Sequence, residues 1–443
     1  MQRWFADGVF RTIIRNATYL ASGKLGGAVL GLLALACAGR SMTPALFGML
    51  ILIHSYANGV GAVVKFQTWQ FIVRFGAPAL GRGDIATLRD VTGFAVGLDL
   101  ASGLIGMAGG LLLLPYVAPW FGIGPEHLKL AMLYCTLIPT MTAATPTGIL
   151  RVLDRFDQIA LQQLVTPLVR SIGAVISYLG DFGFVGFVLT WYLADLAGDV
   201  CLWIQSIQEL RRRGIAGALR PGLFAPARRL PGAWGFVWTT NVAHSIWAAW
   251  GPVSNLMVGA LLGPAAAGLF KIAATFFDSA SKPAELMSRS FYPEIMRLDP
   301  SSRHPWQLAM RSAAISAAIA MLVLLLVMVG GEPMIDLTFG KRYVAAFDLL
   351  QLMTASLVVA MAAFPLESLL YMAGRERSAL VAEGLAAVGY AVLLVILIHL
   401  FGLWGAGLAY VAGVCLKTGF MLLPTVKAFQ RRALLVQKTS APA

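Results

Sequence analysis

Apolar residues run along this chain in long blocks, separated by short polar stretches that hold most of its arginines. A helix needs ~20 apolar residues to cross a bilayer. Twelve blocks meet that length and predict spans over 18–39, 46–66, 91–115, 128–150, 159–180, 184–207, 234–262, 265–287, 306–329, 345–371, 377–400 and 403–426. What is left between them is short loops and two tails, with no segment large enough for a separate aqueous domain. The first tail, Met1–Asn16, is basic and partly amphipathic. With no small-residue cleavage site and more spans following, it is not expected to be a signal peptide.

Composition agrees with the pattern. Of 443 residues, 58% are apolar and 12% charged, and the mean hydropathy is +0.76. Soluble domains carry about 25% charged residues. A soluble enzyme is excluded on that ground, and so are a disordered chain and a coiled coil, which need more charge.

Charge then fixes a topology. Of the 34 Lys and Arg residues, 25 fall in one alternating set of segments, which includes both tails. The other set holds four, Arg40, Lys129, Lys341 and Arg342, and five lie inside spans. Cytoplasmic loops concentrate Lys and Arg, so both termini are expected in the cytoplasm, with an even number of spans. The net charge of +13 is thereby accounted for without nucleic acid. The basic stretch from Arg211 to Arg229, with Pro221 and Pro226, reads as a linker lying on anionic head groups. The cysteines all sit in apolar spans and read as packing residues, and the histidines have no metal-ligand spacing.

A shift of about 220 residues aligns the chain with itself. Pro44–Gly48 falls on Pro264–Gly268, Phe71 on Phe291, Phe121–Gly122 on Phe339–Gly340, and Pro146 on Pro365. Gly183 and Gly186 fall on Gly402 and Gly405. The expected architecture is therefore an all-α polytopic membrane protein of about twelve transmembrane helices. They form two six-helix bundles related by a parallel internal repeat, 1–208 and 234–443, joined by the basic linker 209–233. Substrate sites in such repeats lie between the halves, near the midplane.

Charges inside spans are the candidate chemistry, because each costs ~2.5–3.5 kcal/mol at mid-bilayer. Lys24, Arg170, Lys271 and Lys417 are candidates for holding an anionic group; Lys282 is nearer the cytoplasmic end and snorkels. Lys24 stands among Gly23, Gly26, Gly27 and Gly31, which leave room for a ligand, and its repeat mate is His244. Buried acids include Asp99, Asp195, Asp199, Glu367 and Glu383. Asp195 and Asp199 share one helix face, which suits a proton or cation site, or an ion pair with Arg170 or Lys417. Lys271, Asp278, Lys282 and Glu285 form one polar stripe. His54, Asn58 and His244 suit hydrogen bonds to sugar. Trp234, Trp238, Trp247 and Trp250 suit stacking on sugar rings, with anchoring at the membrane interface the preferred reading for Trp234 and Trp250. There is no G-x-x-x-x-G-K-[ST] motif and no catalytic triad pattern, so neither an ATP-driven pump nor an enzyme is expected.

Certain stretches carry a resemblance: Arg40–Gly48 after the first span, Gly148–Asp157 closing the fourth, and Phe339–Tyr343 before the tenth. Together with two halves of six spans, the chain resembles the oligosaccharide flippase family of polysaccharide and O-antigen biosynthesis. That family is part of the multidrug/oligosaccharidyl-lipid/polysaccharide exporter superfamily. The resemblance implies a bacterial inner-membrane protein that carries undecaprenyl-diphosphate-linked oligosaccharide from the cytoplasmic to the periplasmic face by alternating access. It implies a V-shaped bundle, and as partners membrane lipids, the lipid-linked oligosaccharide and other polysaccharide assembly proteins. No cofactor is expected beyond coupling protons or sodium ions, with Asp99, Asp195, Asp199 and Glu367 as coupling candidates. Three other readings are a multidrug exporter of the same superfamily, a membrane glycosyltransferase or polymerase, and a peptidoglycan-precursor flippase. The exporter would need buried acids without the cations, and the enzyme would need long extracytoplasmic loops. The peptidoglycan-precursor flippase would need extra spans.

Overall fold

The computed structural model describes residues 26–215, 222, 230–296, 298 and 302–439, and the side chains of these except 242–249, 283–290, 292–294, 376 and 431–439. The amino-terminal tail, Lys24 and most of the basic linker lie outside the described residues, as does the side chain of His244. The described elements are all helical. In the first half the main ones are α1 (Gly26–Ser41), α2 (Pro44–Val64), α3 (Ile85–Val117), α4 (Pro125–Cys135), α5 (Ile138–Thr142), α6 (Thr145–Val152), α7 (Phe156–Leu179) and α8 (Gly183–Arg212), with short helical turns over Thr68–Phe71, Ile72–Gly76, Ala77–Gly81 and Ala118–Phe121 between them. The second half has α9 (Ala233–Leu262), α10 (Pro264–Ile295), α11 (His304–Phe339), α12 (Ala346–Ala363), α13 (Pro365–Met372), α14 (Glu376–Phe401) and α15 (Leu403–Thr439).

Local chemistry sets the helix starts. Thr43 caps α2, its Oγ1 accepting from the Leu46 N–H at 3.4 Å, and Pro44 sits where no N–H is needed. Asp84 caps α3 through the Thr87 N–H at 3.0 Å. The repeat shows in these starts. Pro44 and Pro264, Ile85 and His304, Thr145 and Pro365, Phe156 and Glu376, and Gly183 and Leu403 open corresponding helices.

Among the described residues each expected span corresponds to a helix or to a run of broken helices. Two expected continuous spans are interrupted. Over 128–150 the chain bends by 43° between Pro125–Cys135 and Ile138–Val152, and it opens again at Ala143, whose backbone is extended. Pro139 and Pro146 each remove a helical N–H donor there. Over 345–371 the break falls at Phe364, just before Pro365. Among the described residues eight helices are long and apolar enough to cross a membrane, nine counting the bent pair. Shorter apolar stretches are α1 and Trp250–Leu262 of α9, and α10 carries the charged stripe. Large apolar side chains face outward, Val329 on α11 at 84% exposure and Val388 on α14 at 65%, as lipid contact requires.

The chain forms two compact units, Met1–Ala260 and Leu261–Ala443. The first has a core of Phe71, Ile72, Phe94, Ile149 and Leu153, with Val237 of α9 among them. Trp234 meets Phe94 edge-on at 5.2 Å and Trp238 meets Phe66 at 5.3 Å, so both indoles are engaged with protein rings. On α6, Gly148 lets the backbone of Trp69 approach, and Arg151 stacks on the Trp69 ring at 3.8 Å. In the second unit Leu370, Ala379, Ala382 and Met421 pack together.

Candidate functional site

Four helices of the first unit bring polar side chains to one place. Helix α8 supplies Asp195, α7 supplies Arg170, α4 supplies Tyr134 and α2 supplies His54. Asp195 accepts from the Arg170 guanidinium through one carboxylate oxygen and from the Tyr134 hydroxyl through the other. His54 Nε2 stands 3.5 Å from that second oxygen. The hub is half-sheltered, with 12% of the Asp195 side chain exposed, 19% of Arg170 and 24% of His54.

Apolar and aromatic neighbours hold it. The fully buried Trp191 lies one turn before Asp195, and Arg170 sits over its ring at 5.3 Å. The Tyr134 ring meets His54 edge-on at 5.8 Å and Tyr192 at 6.1 Å. Tyr192 in turn exchanges a hydrogen bond with Thr136 Oγ1 at 3.0 Å. Asn58, one turn after His54, donates to the His54 carbonyl at 2.8 Å, so its amide ties down α2.

The hub is not saturated. Arg170 Nε and Asp199 Oδ2 are buried without a hydrogen-bond partner. Asp199 lies one turn below Asp195 on the same face.

The other sequence candidates lie elsewhere. Asp99 is 2% exposed and takes three hydrogen bonds of 2.8 Å each, from Thr68 Oγ1 and from the N–H groups of Ala144 and Thr145. Those two N–H groups open α6, so this carboxylate caps the break in the span. In the second unit, Glu367 accepts from Tyr371 at 2.9 Å within the first turn of α13. Lys417 donates to Glu383 at 2.8 Å, with each side chain 40% exposed. Lys271 is half-buried on α10. The structure thus joins Arg170, Asp195 and His54, sets Asn58 and Asp199 beside them, and leaves Lys271, Lys417 and Glu367 in the second unit.

Tyr134 and Trp191 were not singled out from sequence. A second cluster was missed as well. Glu209, 6% exposed, is held by Arg155 at 2.5 Å and Arg213 at 3.0 Å, and Arg155 also grips Asp157 at 2.9 Å. It fastens the end of α8 to the turn before α7. The one signal for it was an acid standing before the run Arg211–Arg213.

Comparisons with known proteins give the family and the fold. A family model described as polysaccharide biosynthesis protein matches residues 95–348. The inner membrane protein YghQ of Escherichia coli (strain K12) is 50% identical over 350 residues, which cover 79% of this chain and 99% of that protein. Among solved structures, an inward-facing multidrug resistance MATE family transporter of the MOP superfamily superposes with a TM-score of 0.73. Its identity is 15%, over 94% of this chain and 96% of that one. The lipid II flippase MurJ, in an inward closed conformation, gives 0.66 at 12% identity, over 96% and 93%. The fold is therefore that of these transporters: all-α, of about twelve transmembrane helices in two six-helix halves.

Proposed function

The chain belongs to the polysaccharide biosynthesis protein family, and on that premise we propose that it is a flippase for undecaprenyl-diphosphate-linked oligosaccharide. It acts by alternating access, from the cytoplasmic to the periplasmic leaflet of a bacterial inner membrane, with both termini in the cytoplasm. The observation that carries this reading is the Arg170–Asp195 hub. An ion pair with unsatisfied polar atoms is built into apolar helices of a transporter fold. Ionisable groups inside a bilayer mark substrate or ion pathways.

A glycan diphosphate cannot cross hydrocarbon unaided, since each unpaired polar group costs several kcal/mol there. Lys24, His244 and Arg170 are the proposed contacts for the diphosphate and its sugar in the first unit, and Lys271 and Lys417, the latter on leaving Glu383, are the cations proposed to meet it in the second. His54 and Asn58 contribute hydrogen bonds to the glycan. In the first unit Asp195 holds Arg170. Neutralising that carboxylate with a proton or a sodium ion frees the guanidinium for the diphosphate, so binding of the carried anion is linked to binding of the cation. His54 at 3.5 Å and Tyr134 give the proton neighbouring groups to move between. Asp195 and Asp199 take the coupling role, because Asp195 pairs with the Arg170 guanidinium and Asp199 lies one turn along the same helix, whereas Asp99 caps the start of α6. No covalent step is required of the protein.

Reconstitution tests the reading. Proteoliposomes are loaded with fluorescent lipid-linked oligosaccharide, and the label exposed in each leaflet is quenched over time. Wild type should equilibrate the label across the bilayer, and Lys24→Ala should slow it about tenfold or more, the weight of one charged hydrogen bond. Transport of an organic cation with no movement of the lipid-linked glycan would refute the proposal.

A further inference from the structure

The second unit carries a groove of about 360 Å³ between α14 and α15 that plays no part in the mechanism above. Arg377 and Ser378 sit at one end, and Val381, Ala382 and Leu385 follow along α14. Phe420 and Pro424 of α15 form the other wall. Pro424 shapes it. A proline inside a helix has no N–H for the carbonyl four residues back, here that of Phe420. The carbonyl of Pro424 is taken by Arg375 Nη1 at 3.1 Å, so Arg375 fixes the mouth of the groove.

Arg377 is exposed, and neither an ion pair nor a hydrogen bond occupies its guanidinium among the described residues. Glu383, the acid on the following turns of α14, is held by Lys417. Lys427 is exposed on α15, one turn beyond Pro424, and adds positive charge at the same end. Below that charge the walls are apolar, and the flank is lipid-facing, with Val381 58% exposed and Leu385 52%. The internal repeat supplies a control. The positions that correspond to Arg377 and Pro424 in the first half are Asp157 and Ile204. Asp157 is spent on Arg155, and the helix has no proline there. Among the described residues the corresponding place in the first half therefore lacks both the free cation and the proline.

We propose that this groove is a binding site for one anionic glycerophospholipid of the surrounding membrane. Its phosphate sits on Arg377 and the Ser378 hydroxyl, and one acyl chain lies along Val381, Leu385 and Phe420. Basic pockets between transmembrane helices at the membrane surface bind anionic head groups. A zwitterionic lipid offers the same phosphate but brings its own ammonium group up to Arg377 and Lys427, which an anionic lipid does not. The groove from Arg377 to Leu385 is about 12 Å of helix. That length covers the upper part of an acyl chain. The proposal is independent of what the protein carries.

The test is lipid retention by the purified full chain, followed by native mass spectrometry after exchange into equimolar phosphatidylglycerol and phosphatidylcholine. Wild type should retain one phosphatidylglycerol in preference to phosphatidylcholine. Arg377→Ala should lose that retention about fivefold, the weight of one surface cation facing anionic lipid, and Arg377→Lys should keep most of it. Val381→Trp should fill the groove and also lose the lipid. Melting temperatures in phosphatidylcholine nanodiscs should match for wild type and Arg377→Ala, which separates lipid loss from misfolding. Equal retention of the two lipids by wild type, or unchanged retention by Arg377→Ala, would overturn the proposal. So would displacement of phosphatidylglycerol by an equimolar polyprenyl phosphate, which would make the groove a seat for the substrate's carrier.

Discussion

Removing the Asp195 carboxylate would leave the Arg170 guanidinium half-sheltered, with the Trp191 ring beside it and an Nε that already lacks a partner. Breaking a buried ion pair from one side costs about 3–5 kcal/mol. With 19% of Arg170 exposed, a value near the lower end is expected for Asp195→Asn, about 3 kcal/mol, read as a fall in thermal stability in detergent. Adding Arg170→Gln should recover part of that loss, because the two residues are one unit. Asp99 gives a second residue-level prediction. Asp99→Ala strips the caps from two buried N–H groups and should cost about 2 kcal/mol, and Thr68→Ala should then add little. Arg170, Asp195 and His54 were legible in the sequence, because a polar residue stands out in an apolar run. Tyr134 and Trp191 were not. An aromatic ring raises the apolar count whether it faces lipid or a carboxylate, and only the packing of α4 against α8 decides which.

At the scale of elements, the helix starts were legible because their signals are local: Thr43 before Pro44, Asp84 before Ile85, and prolines opposite one another in the repeat. The interruption at Ala143 was not, although Pro146 was visible as a repeat marker. A proline ends a helix only where something else receives the freed donors, and here the receiver is Asp99, more than forty residues away. The indoles of Trp234 and Trp238 show the same limit, since nothing local says that they pack on Phe94 and Phe66. The neighbourhood of α6 gives the prediction at this scale. A Cβ on Gly148 would lie 2.8 Å from the Trp69 Cα and 3.0 Å from Ile72. Gly148→Val should therefore destabilise the first unit by about 1–3 kcal/mol through overpacking, and should loosen the Arg151–Trp69 stack. A red-shifted Trp emission together with a lower melting temperature would confirm it; an unchanged melting curve would contradict it.

For the whole molecule, the alternation of basic and uncharged loops and the repeat were enough to give the architecture, since the bilayer permits few others to a chain this apolar. Topology follows in a form that can be measured. A reporter active only in the cytoplasm should work when fused after Ala443, and one active only in the periplasm should work when inserted between Gly340 and Lys341. The claim on which the account turns is that the Asp195 carboxylate gates Arg170 and so ties translocation to an ion gradient. Its most direct test is the flipping rate of fluorescent lipid-linked oligosaccharide in proteoliposomes, with and without an imposed proton or sodium gradient, for wild type and Asp195→Asn. Wild type should accelerate when one of the gradients is applied, and Asp195→Asn should flip at one rate whatever the gradient. Equal acceleration of the two proteins would contradict the account.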